Sequence, residues 1–171
     1  MQVELKRTFT SYQAQFIEQF LAPGSPKHHW LSAPPGAGLT QCAVGIIAAL
    51  KGAKADARAL LLTPRMLVVQ WFRRLDSAVD SSLLIEGNRR NLRQLSDSAR
   101  QSNFTWPAGH VVVMESWFAE RFADLEDSVF NTSWDLVIWD GFHLSPIGSS
   151  SQRLRLLDRL GGSPTSNASF S

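Results

Sequence analysis

The stretch Ala33-Pro34-Pro35-Gly36-Ala37-Gly38-Leu39-Thr40 carries the residue types that cradle a phosphate. Glycines let successive backbone N–H groups turn inward, and a helix that starts there adds the positive end of its dipole. The hydroxyl of Thr40 can hold a divalent cation, and a lysine one place earlier would meet the terminal phosphates. Leu39 stands where that lysine belongs. A Gly-rich turn before a helix is by itself a weak signal, since a turn with no ligand looks the same. A second run of interest is Asp135-Leu136-Val137-Ile138-Trp139-Asp140-Gly141-Phe142-His143, an apolar segment that delivers a carboxylate at its end.

The elements that must position these residues follow from hydrophobic patterning. Residues 11–21 have apolar positions at helical spacing, and Pro23-Gly24-Ser25-Pro26 ends them. His29–Ala33 reads as a buried strand, and Thr40–Lys51 as a helix. The alternation then repeats: strand Arg58–Thr63 and helix Arg65–Val79; strand Ser82–Glu86 and a polar, basic helix Asn88–Arg100; strand His110–Met114 and helix Ser116–Leu125. Trp134–Asp140 is the last strong strand, and Gln152–Leu160 a short helix. Strands that are apolar throughout, alternating with helices, predict an α/β fold: a mainly parallel sheet with helices on both faces. The chain is expected to form one domain over residues 1–160, followed by a flexible Gly/Ser-rich tail over 161–171.

The composition excludes several classes. The 171 residues are 44% hydrophobic and 19% charged, which fits a globular chain and not a disordered one. A net charge of +2 is too balanced to argue for nucleic acid on its own. The single cysteine, Cys42, permits no internal disulfide. No apolar run approaches a membrane span, and no basic start precedes an apolar stretch, so the expected location is cytoplasmic.

Four segments, in order, resemble the first motor lobe of superfamily-two helicases, with the flavour of Swi/Snf-type and DEAH-like DNA-dependent ATPases. Phe9, Tyr12 and Gln13 before a helix resemble the adenine-reading glutamine motif. APPGAGLT resembles motif I, AxxGxGKT. The run from Leu61 to Trp71, with Thr63-Pro64 at its turn, resembles motif Ia. Asp135–His143 resembles the DLVIxDEAH strand of motif II. Val111–Ser116 falls, more loosely, where the family has a strand entering a polynucleotide-contacting turn.

The resemblance implies a RecA-like P-loop fold, ATP with Mg²⁺ as ligand, and nucleic acid, DNA more than RNA, as partner. It places the nucleotide at Gln13, Pro35, Gly36, Ala37, Gly38, Leu39 and Thr40, and Mg²⁺ at Thr40 and Asp140. It places nucleic acid at Thr63, Pro64 and Arg65, and gives His143 the role of coupling the two ligands. The departures fall on the chemistry: Leu39 replaces the lysine, and Gly141 replaces the glutamate that activates water. Nothing after His143 matches the Ser-Ala-Thr motif, and no second lobe follows. The expectation is a degenerate lobe that binds nucleotide weakly and does not hydrolyse ATP by itself. Two alternatives stay open: a protein-interaction scaffold without nucleotide, or half of an active helicase or remodeller completed by a protein that supplies the second lobe.

The remaining residues carry weaker signals. Arg89 and Arg93 share a helical face, and so form either a phosphate-binding stripe or a solvated surface. Cys42 reads as a small buried apolar group. The four histidines show no metal-ligand spacing. Trp71 and Leu67 read as core.

Overall fold

The chain is described by a computed structural model over residues 9–24, 28–32, 34, 36–80, 84–87, 91, 97, 104–116, 128–141 and 166–170. Its elements in order are α1 (Ser11–Leu21), β1 (His28–Leu31), α2 (Leu39–Ala53), β2 (Ala59–Thr63), a 3₁₀ turn (Arg65–Leu67), α3 (Val68–Asp76), β3 (Leu84–Gly87), β4 (Val111–Glu115), β5 (Leu136–Asp140) and β6 (Ser166–Phe170).

The six strands form one parallel sheet in the order β1-β6-β5-β2-β4-β3. The apolar runs Leu60–Leu62, Val111–Val113 and Leu136–Ile138 are buried throughout, as strands covered on both faces must be. Alternation divides them between two cores. Ala59, Leu61, Val111, Val113, Leu136 and Ile138 face α2 and α3, where Cys42, Val44, Ile47, Val68, Trp71 and Leu75 complete the cluster. Leu60, Leu62, Val112, Met114, Val137 and Trp139 face the opposite way, against Trp106, Val129 and Trp134. Helix α1 lies on α2 at Gly45, where a Cβ would come within 2.5 Å of Ile17 Cδ1.

The α/β class and the parallel sheet are as the sequence predicts, with most strand and helix ends shifted by a residue or two and the helix expected over Arg65–Val79 shortened by three at each end, its first turn being 3₁₀. The exception is the tail. The region expected to be flexible contains β6, inserted between β1 and β5 with Ala168 paired to both His29 and Ile138. Backbone ladder bonds to two neighbours hold such a strand, and a Gly/Ser-rich composition gives no sign of them. The folded unit therefore reaches Phe170. The expected helices over 88–100, 116–125 and 152–160 fall largely outside the described residues. Among those described, no helix is long and apolar enough to cross a membrane.

Because the sheet is parallel, the ends of β1, β2, β4 and β5 bring the Gly-rich loop, Thr63, Glu115 and Asp140 to one edge. That carboxyl edge is where open α/β sheets bind ligands.

Candidate functional site

The loop between β1 and α2 is built on two left-handed residues, Gly36 at φ 87° and Gly38 at φ 85°. Gly38 is the N-cap of α2, and its carbonyl accepts from the N–H groups of Gln41 at 2.8 Å and Cys42 at 3.1 Å. Ala37 N–H turns back to the Pro34 carbonyl at 3.1 Å. The first-turn N–H groups of a helix have no intrahelical acceptor, so the start of the 15-residue α2 offers donors and positive potential to an anion.

Gln13 is buried under this loop. Its Oε1 accepts from Thr10 N–H at 3.0 Å, and its Nε2 donates to the Ala37 carbonyl at 3.1 Å. A Cβ at Gly38 would stand 2.3 Å from Nε2. Both ends of the amide are thus engaged by the chain, and the glutamine expected to read a base clamps the loop. Leu39 is half-buried and packs on the core cluster beneath the loop. Thr40, the second residue of α2, is half-buried as well. Pro35 lies outside the described residues.

At the end of β5, Asp140 is held by neutral donors. Its Oδ2 accepts from Trp71 Nε1 at 2.6 Å and from Thr63 Oγ1 at 3.2 Å. Trp71 is core, as its place in the buried stripe Val68, Trp71, Leu75 predicts, but its contact with Asp140 is absent from the sequence reading. The available signal was the indole N–H, which needs an acceptor when buried. Gly141 is buried at φ 66°, a left-handed position that disfavours a glutamate there. His143 and Phe142 lie outside the described residues.

The expected nucleic-acid residues separate. Thr63 is fully buried and engaged with Asp140, so its side chain does not face a partner. Pro64 is half-buried and Arg65 exposed. Beside Arg65, Met66 is 85% and Val69 47% exposed, giving the turn and α3 an apolar outer face with Arg73 further along.

Glu115, also missed from sequence, is buried at the end of β4. It does not replace the absent glutamate of motif II. β2 lies between β4 and β5, so two strand spacings, about 10 Å, separate its backbone from that of Asp140.

Lys51 and Lys54 lie away from this edge, and Cys42 is buried. Burial pushes the Cys42 thiol up from its ordinary value, so it is no nucleophile. Desolvation lowers Lys51, whose ammonium donates to the carbonyls of Ala55, Ala57 and Gly109 and ties α2 to two loops. Lys54 pairs with Asp135 at 2.7 Å at the amino edge. Among the described residues, no three His, Cys, Asp or Glu side chains group as metal ligands.

No protein-family profile matches the chain, and no curated protein matches it in sequence. Solved structures do match its fold. The SWI2/SNF2 ATPase core of Sulfolobus solfataricus in complex with dsDNA aligns with a TM-score of 0.67 at 11% identity, over 99% of this chain and 34% of that one. A nuclease-deletion mutant of the Type ISP restriction-modification enzyme LlaGI, bound to a DNA substrate mimic, aligns with a TM-score of 0.64 at 16% identity, over 95% of this chain and 15% of that one. The large terminase ATPase domain of Thermus phage P74-26 aligns with a TM-score of 0.56 at 13% identity, over 96% and 64%. The chain has the fold of a RecA-like motor lobe. It spans about a third of the length of the SWI2/SNF2 core.

Proposed function

We propose that the chain is a degenerate helicase-like ATPase lobe that binds nucleotide phosphate weakly at Gly36–Thr40 and does not hydrolyse ATP by itself. The observation that carries this reading is the pair of left-handed glycines that open α2, at the same sheet edge as Asp140. Thr40 and Asp140 are the oxygen ligands that would hold Mg²⁺, which neutralises phosphate charge when bound. Their hydroxyl and carboxylate suit a hard cation.

The missing side chains set the magnitude. A lost charge-assisted contact to phosphate removes about 1.5–3 kcal/mol, roughly ten- to a hundred-fold in affinity. A lost general base removes about 10²–10⁴ in rate. On this reading, nucleic acid, DNA more than RNA, meets the outer face of the turn and α3 through Arg65. The DNA in two of the similar structures supports that partner. Turnover, if it occurs at all, would need a second lobe.

The test is calorimetric titration with Mg-ATP. Weak, magnesium-dependent binding without phosphate release is expected. Phosphate release above a protein-free control, lost in Asp140→Ala, refutes the non-hydrolysing role. No binding to the natural chain or to Leu39→Lys refutes the site.

One observation favours a second reading, the protein-interaction scaffold. Gln13 and Asp140 already have partners within the chain, so these two polar side chains of the site are bonded without nucleotide. Binding by Leu39→Lys but not by the natural chain would select it.

A further inference from the structure

Asp140, Thr63 and Glu115 form one row across three adjacent strands. Thr63 is paired with Glu115. Leu62 is paired with Trp139, and the next step of that register sets Thr63 beside Asp140, where the two side chains are hydrogen-bonded. Alternation from Leu61, Val113 and Ile138 puts all three on the face that α2 and α3 cover.

Glu115 is 2% exposed, and its Oε1 has no hydrogen-bond partner among the described residues. A buried carboxylate oxygen without a donor is costly, and a charge is tolerated there only when paired or bound to metal. The donors that reach the neighbouring Asp140 are an indole N–H and a hydroxyl, both neutral. Among the described residues no lysine or arginine pairs with either carboxylate. The sheet edge therefore holds two acidic side chains and a hydroxyl in line, with no countercharge among the described residues.

The spacing suits an ion. Two strand spacings set the Asp140 and Glu115 backbones about 10 Å apart. Asp140 leans to Thr63 between them, and Glu115 leaning to it as well would bring both carboxylates within reach of one hard cation, with oxygen ligands at roughly 2.0–2.6 Å. We propose that Glu115, Thr63 and Asp140 form a binding site for a divalent hard cation of the Mg²⁺ or Mn²⁺ kind, independent of nucleotide. Waters fill the remaining positions. The site shares Asp140 with the phosphate reading but uses neither Thr40 nor the Gly-rich loop.

Terbium luminescence tests it, because Tb³⁺ prefers the same oxygen ligands and the Trp71 indole lies against Asp140. In the nucleotide-free chain, excitation of tryptophan should give saturable Tb³⁺ emission that Mg²⁺ or Mn²⁺ displaces. Glu115→Gln, which keeps the shape and removes the charge, should weaken binding at least ten-fold, while Asp76→Asn, at the exposed far end of α3, leaves it unchanged. A parallel melt should show Mn²⁺ raising the melting temperature of the natural chain and not of Glu115→Gln. No saturable emission, equal emission and equal melting shift from Glu115→Gln, or an equal loss in Asp76→Asn would overturn the proposal. The Mg-ATP titration can fail without changing any of these expected results.

Discussion

Replacing Asp140 by alanine tests whether this carboxylate holds the fold together before it holds any ligand. The substitution leaves two donors in place and removes their acceptor. Trp71 is 3% exposed and Thr63 fully buried, so neither donor has ready access to bulk water. An orphaned buried donor costs about 1–3 kcal/mol. Asp140 itself is half-buried, so water can enter the space it vacates and reach at least the hydroxyl. The expected loss is therefore about 2–4 kcal/mol, a large share of the roughly 5–15 kcal/mol that holds an ordinary domain. The assay is urea unfolding followed by circular dichroism, with EDTA present and nucleotide absent, so that no ligand contributes.

Two companions sharpen it. Asp140→Asn keeps an acceptor oxygen and should lose about half as much. Trp71→Phe keeps an aromatic ring, though a smaller one, and deletes the donor, so the double variant with Asp140→Ala should cost less than the sum of the singles, by about 1 kcal/mol. An Asp140→Ala chain within about 0.5 kcal/mol of the natural one, with additive double-variant losses, would refute the reasoning and leave Asp140 as a ligand group only.

Three further expectations follow from the geometry. Gly38→Ala should destabilise more than Gly36→Ala, because both sit at positive φ but only Gly38 has Gln13 Nε2 at 2.3 Å from the new Cβ, whereas nothing lies within 4 Å at Gly36; thermal melts read the difference. Asp135 should make stability fall in acid. Burial pushes its carboxyl up, but the Lys54 ammonium and the Arg58 N–H outweigh this and hold it below its ordinary value. A lowered folded pKa gives stability that is full above the unfolded value, near about 4, and is lost as pH falls through the folded one. Asp135→Asn should flatten that part of the pH–stability curve, and an unchanged acid limb would refute the pairing. Cys42, buried and with its thiol pushed up, should react with a thiol reagent only in denaturant.

The fold was legible because its signals are local and repeated. Leu60–Leu62, Val111–Val113 and Leu136–Ile138 are aliphatic runs too short for helices, and each is followed by a turn or a break. β6 was illegible for the opposite reason. Ser166–Phe170 owes its place to the two strands on either side of it, and a strand between partners needs no apolar pattern of its own. The loop was legible because its glycines stand between a strand and a helix, in order with three other motifs. The ties of Gln13 and Asp140 were not, since both bridge residues far apart in sequence. Gln13 reaches Ala37, and Asp140 reaches Trp71 and Thr63. Resemblance to a motif gives a residue a role toward a ligand. It does not show that the chain itself has already taken that residue's hydrogen bonds.

The two departures from a working phosphate site differ in kind, and this makes binding and hydrolysis separable. Leu39 differs from lysine in its side chain alone, and the helix beneath it is regular. Leu39→Lys gives up part of a half-buried leucine's contact with the core, about 1 kcal/mol, and the lysine stem can cover some of that surface while its ammonium reaches the loop. Gly141 differs in backbone. At φ 66° a glutamate pays about 1–2 kcal/mol for the left-handed conformation, and its carboxylate leaves the chain in a direction that position does not share with an ordinary strand end. Leu39→Lys alone should therefore tighten Mg-ATP binding by roughly ten- to a hundred-fold. Adding Gly141→Glu should lower the melting temperature and restore no turnover. Phosphate release at rates well above the single variant would show that the backbone at Gly141 readily resets, and that the site lacks only its side chains.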